Sequence, residues 1–113
     1  MGQNRKRPTG SSSGKSEPTP AWQPVTDKVT VKRLSKLMEE AGELISVCAR
    51  CLAQGLDGVN PDNGKSNRRW LEEELSDVAA NLDLVHEHFT LDTDFIQARM
   101  AEKRERQLQW QPE

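Results

Sequence analysis

From Leu34 to Leu52 the chain repeats one spacing, with apolar side chains at Leu34, Leu37, Met38, Ala41, Leu44, Ile45, Cys48, Cys51 and Leu52. Intervals of three and four residues held over about five turns are the signature of one apolar helix face, and they exclude a strand, whose period is two. The only β-branched run is Val29-Thr30-Val31, and it leads straight into this pattern. Thr26, Asp27 or Thr30 can cap the helix start, and Gly55 marks its end. Residues 55–66 are dense in Gly, Asn, Asp and Pro and read as a loop. Ser66 or Asn67 can open a second helix with the stripe Leu71, Leu75, Val78, Leu82, Val85 and Phe89. Asp92 or Thr93 can start a third, carrying Phe95, Ile96 and Met100 and running to about residue 109. The predicted class is all-α, with three main helices. Three narrow stripes make a thin core, because small domains bury a small share of their surface. A homo-oligomer, dimer or tetramer, is therefore expected to complete the bundle.

Composition divides the chain in two. Residues 1–24 hold three Gly, four Ser and four Pro, with four basic side chains against one acidic. Such a basic, Gly/Ser/Pro-rich arm cannot bury enough surface to offset the entropy of ordering it. Residues 25–113 form the expected domain, with 12 basic and 17 acidic side chains. The whole chain carries a formal charge of −2, which implies no general attraction to nucleic acid or anionic lipid. No stretch approaches the roughly 20 apolar residues of a membrane span. Two cysteines cannot staple a secreted scaffold, and the N-terminus lacks a signal-peptide apolar region, so a cytoplasmic setting is expected.

Two acidic clusters stand close to the apolar stripes. On the first helix Glu40 and Glu43 are three residues apart, and at about 100° per residue Glu40 falls about 40° from Leu44. On the second, Glu74 and Asp77 repeat the spacing, with Glu74 beside Val78 and Val85 and Asn81 one turn beyond Asp77. Antiparallel packing through the stripes would bring four carboxylates together at a core edge, where unpaired negative charges repel and are poorly solvated. A hard divalent cation relieves that penalty, since Mg²⁺ prefers oxygen ligands. Ion pairing of Lys36 with Glu39 or Glu40 is the other use of these acids.

The segments Leu37-Met38-Glu39-Glu40-Ala41-Gly42-Glu43-Leu44 and Glu73-Glu74-Leu75-Ser76-Asp77-Val78 resemble the MazG-like all-α nucleoside triphosphate pyrophosphohydrolases, whose signature is ExxE followed by ExxD. The likeness covers nearly all of 29–110 and is strongest to the short, single-domain, phage-type versions. It implies Mg²⁺-dependent cleavage of an NTP or dNTP between the α and β phosphates, with Mn²⁺ as a substitute metal, in control of the nucleotide pool. Carried over by position, Glu40, Glu43, Glu74 and Asp77 would hold the metal. Glu39, beside the first ligand, is the candidate to position or deprotonate the attacking water. Arg99, Lys103 and Arg106 fall within about 60° of one another on the third helix and are candidates for the polyphosphate, with Asn81 for the sugar or a metal-bound water. Trp22, Trp70 and Trp110 are aromatic candidates for the base, none singled out. The alternative is a non-catalytic helical interaction module that keeps the fold and offers its acidic face to a basic partner.

Cys48-Ala-Arg-Cys51 has no second pair, and both thiols lie on the apolar stripe, so they are expected to be buried. His86 and His88 stand about 200° apart on a helix and cannot share a metal there.

Overall fold

A computed structural model describes residues 21–110. The arm assigned to residues 1–24 lies, up to residue 20, outside the described residues. Three helices are present: α1 spans Lys28–Gln54, α2 spans Asn67–His88 and α3 spans Thr93–Gln109. Among the described residues there is no strand beyond an isolated bridge between Val59 and Ser66. Each helix opens on a side-chain cap that satisfies an otherwise orphaned N–H. Asp27 accepts from the Thr30 amide at 2.8 Å, Ser66 from Arg69 at 3.1 Å and Asp92 from Phe95 at 2.9 Å. Gly55 ends α1 at φ 88°, a left-handed conformation that glycine adopts without strain.

Helices α1 and α2 form an antiparallel hairpin whose register two contacts fix. Thr30 Oγ1 lies 2.9 Å from His88 Nε2, and Cys51 Sγ donates to the Asn67 carbonyl at 3.9 Å. At the closed end Asn67 is the most buried side chain, 2% exposed. Its Nδ2 donates to Gln54 Oε1 at 3.2 Å and to the Gly55 carbonyl at 3.0 Å, and its amide donates to the Gly58 carbonyl at 2.8 Å. A β-carbon on Gly58 would sit 2.8 Å from the Gln54 carbonyl oxygen, so the loop passes too close to α1 for any larger residue.

The single stripe read along α1 proves to be two seams. Leu37, Glu40, Leu44, Val47 and Cys51 are buried or half-buried against α2, facing Leu71, Glu74, Val78, Asn81 and Val85. Alternating steps of three and four make this a coiled-coil-like contact. Val47 and Val85 are the only buried apolar residues among those described. Met38, Ile45 and Leu52 lie one residue beyond Leu37, Leu44 and Cys51, about 100° round the helix, and like Leu34 stay exposed; Ile45 is 70% and Leu52 90% open. Leu75 and Leu82 bear the same relation to the α2 seam and are also exposed. Because the helices run in opposite directions, both rotations lead to the same side of the hairpin, which is therefore broadly apolar. Cys48 belongs to that side and is exposed, which corrects the expectation of two buried thiols; Cys51 in the seam is half-buried.

Helix α3 packs against neither α1 nor α2. Phe95, Met100 and Leu108 on it are exposed. Within one chain the three-helix layout is thus a hairpin followed by a separate helix. No described helix is long and apolar enough to cross a membrane.

Candidate metal centre

Halfway along the hairpin the seam changes from apolar to acidic. Glu40 and Glu74 occupy positions where leucines would otherwise meet, and Asp77 stands one turn from Glu74. One oxygen from each of these three carboxylates lies within 4.8 Å of the others. Octahedral Mg²⁺ with oxygens at about 2.1 Å places opposite ligands roughly 4.2 Å apart, so small side-chain adjustments would bring this triad onto one ion. Glu43 adjoins the group and acts on the Glu74 carboxyl.

Burial makes the cluster more than a solvated acidic face. The Glu40 side chain is 10% exposed, and its Oε2 lies 3.5 Å from Lys36 Nζ. Its Oε1, like Glu74 Oε1, is buried and has no hydrogen-bond partner. An unpartnered buried carboxylate oxygen costs several times a typical hydrogen bond, and an oxygen-seeking cation would satisfy both at once. The donor set is all oxygen, which fits Mg²⁺ or Mn²⁺. Burial, and then the charges of Glu43, Asp77 and Glu40, push the Glu74 carboxyl above its ordinary value.

That shift fixes the sign of a pH effect. A carboxyl raised in the folded state contributes stability that is complete below its unfolded pKa and lost as pH rises through its folded pKa. In chelator, the wild-type chain is therefore expected to lose melting temperature relative to its Glu74→Gln variant as pH climbs from about 4.5, the ordinary glutamate value. Thermal unfolding of the pair across pH 4 to 8 checks this; a difference that does not widen refutes it.

The other sequence-predicted residues lie outside the triad. Glu39 is exposed and accepts from Lys36 Nζ at 3.2 Å, so one lysine serves both acids considered for it. Asn81 is half-buried in the seam and donates from Nδ2 to the Asp77 carbonyl at 2.9 Å, which steadies the backbone of the acidic cluster. Arg99, Lys103 and Arg106 are exposed on α3, and no contact carries them to the carboxylates of the same chain. Arg99 and Arg106 instead flank Glu102, at 3.7 and 3.8 Å. His88 joins the α1 cap through Thr30, and His86 is exposed.

Beside the acids lie Arg50, to which the sequence assigned no role, and Trp70, one of its three aromatic candidates for the base. Arg50 and Trp70 line a cavity of about 180 Å³ together with Glu43, Ser46, Val47 and Glu74. The Arg50 guanidinium carbon lies 4.5 Å from the Trp70 ring centroid. Helical phase could have found Arg50: it follows Glu43 by two turns and so stays on the same flank.

Comparison with family models, curated proteins and solved structures returned no match. The site stands on its own geometry.

Proposed function

We propose that the chain is a Mg²⁺-dependent nucleoside triphosphate pyrophosphohydrolase, splitting an NTP or dNTP between the α and β phosphates. The observation that carries this reading is the pair of buried, unpartnered carboxylate oxygens of Glu40 and Glu74 inside a three-acid cluster, with Asp77, drawn from two facing helices. Glu40, Glu74 and Asp77, with Glu43 beside them, would hold the metal. When bound, Mg²⁺ would neutralise charge on the triphosphate and lower the pKa of a bound water. In the reaction a water oxygen bonds to the α phosphorus and the bond to the bridging oxygen breaks, leaving pyrophosphate, a nucleoside monophosphate and a proton. Asn81 holds the Asp77 turn in place, and Glu39, exposed and paired with Lys36, would take that proton. The resemblance of Glu40-Ala-Gly-Glu43 and Glu74-Leu-Ser-Asp77 to the MazG-like signature supports the same chemistry.

The apolar side of the hairpin supports assembly of copies, because an exposed apolar surface of this extent marks an interaction site. The α3 cations Arg99, Lys103 and Arg106 would then serve the phosphates of a neighbouring copy. Ile45→Glu puts a charge at the centre of that side and is expected to return the assembly to 12.8 kDa chains. Light scattering reads the mass; wild type and variant of equal mass would dismiss the interface.

Pyrophosphate release from a panel of NTPs and dNTPs, with Mg²⁺, with Mn²⁺ and in chelator, tests the activity. Metal-dependent turnover that disappears in Glu43→Ala and Asp77→Ala is expected. No turnover of any nucleotide, or turnover that survives both changes, rejects the enzyme in favour of a helical interaction module.

A further inference from the structure

We infer that Arg50, held over the Trp70 indole, is an anion-binding group that receives a phosphate of the substrate beside the metal centre; this rests on the pyrophosphohydrolase reading. The Glu40–Glu74–Asp77 cluster and adjoining Glu43 leave the site short of positive charge for a polyphosphate, and α3 does not deliver its cations within the chain. Other cations near the site or the loop end of α2 are already engaged. Lys36 faces Glu39 and Glu40, Lys65 lies 2.9 Å from Glu73 Oε1, and Arg68 and Arg69 pair with Asp57 and Glu72. Arg50 has no ion pair among the described residues, although it shares a cavity with Glu43 and Glu74.

The indole explains that restraint. A guanidinium over an aromatic face is held by the ring quadrupole, while the N–H groups around its edge remain free. Those edges suit two oxygens of one phosphate, which a lysine ammonium cannot match in geometry. The cavity of about 180 Å³ is below the roughly 300 Å³ at which pockets for whole small molecules begin. It seats one moiety of a nucleotide, and its position against Glu43 and Glu74 makes that moiety a phosphate next to the metal.

The test uses full-length chain with Trp22→Phe and Trp110→Phe, so that Trp70 is the sole indole reporter. Inorganic pyrophosphate with Mn²⁺ is the probe, and electron paramagnetic resonance follows Mn²⁺ separately. A saturable change in Trp70 emission is expected, with Arg50→Ala raising the pyrophosphate Kd about 10- to 100-fold while Mn²⁺ affinity and helical circular dichroism stay unchanged. Arg50→Lys is expected to recover only part of the loss. An unchanged Kd in Arg50→Ala overturns the assignment, as does absence of pyrophosphate binding by the parent. Absence of Mn²⁺ binding by the parent overturns the metal-dependent reading instead, and Arg50-dependent pyrophosphate binding in that case upholds the anion site alone.

Discussion

Glu74→Gln is expected to weaken metal binding by about 100-fold or more and to take turnover down with it, while raising the stability of the metal-free chain. Residues that merely orient a metal ligand already contribute 10- to 100-fold to affinity, so a direct ligand sets the upper end of that range as its floor. The opposite effect on stability follows from where Glu74 sits. Its carboxyl is opposed by burial and by Glu43, Asp77 and Glu40, and its Oε1 has no donor. A glutamine of the same shape removes one charge and brings an N–H₂ that can donate to a neighbouring carboxylate. Titration calorimetry with Mg²⁺ and melting in chelator separate the two effects. A variant that keeps its metal affinity, or that melts lower in chelator, contradicts the site.

Asn67→Leu is expected to cost about 3 kcal/mol and lower the melting temperature by roughly 10 to 20 °C. The Asn67 amide group spans two turns of chain, bonding Gln54 Oε1 and the Gly55 carbonyl where α1 ends. Leucine fills similar space and leaves the Gln54 and Gly55 oxygens without their donor at the part-buried end of α1. The Gly58 chain segment, already at the limit of approach, cannot move in to compensate. Urea unfolding followed by helical circular dichroism gives the number. A midpoint within experimental error of wild type would show that the loop, not this side chain, holds the hairpin closed.

Much of the fold was legible because it depends on local rules. The three helices follow from apolar period and capping chemistry, and Asp27, Ser66 and Asp92 were each among the caps the sequence offered. The meeting of Glu40, Glu74 and Asp77 was legible for a related reason. Equal i, i+3 spacing on two helices places both pairs at the same height on the stripe margin once the helices lie antiparallel. Less could be read where two adjacent positions carry the same kind of residue. Leu37 and Met38, or Leu44 and Ile45, are equally apolar, so only tertiary contact decides which seam meets α2 and leaves Cys48 outside. Likewise Glu39 and Glu40 differ by one step of rotation, and that step takes one to solvent and the other into the seam. Helix α3 has the weakest apolar pattern and mixes Phe95 and Met100 with many charges, so its sequence names a helix without naming its neighbour. Arg50 drew no role from the sequence because its significance depends on Trp70, twenty residues away and across the hairpin.

The placement of Glu40 and Glu74 in the seam has a cost in apolar burial. With the central layer given to carboxylates, Val47 and Val85 are the only buried apolar side chains among the described residues, and the larger apolar surface faces outward. Any body that covers that surface, or any ion that settles between the acids, binds the folded chain and not the unfolded one. Each then adds to stability in proportion to the logarithm of its own concentration. Were either to bind, the persistence of this fold would depend on dilution or free divalent ion as well as on the contacts inside one chain.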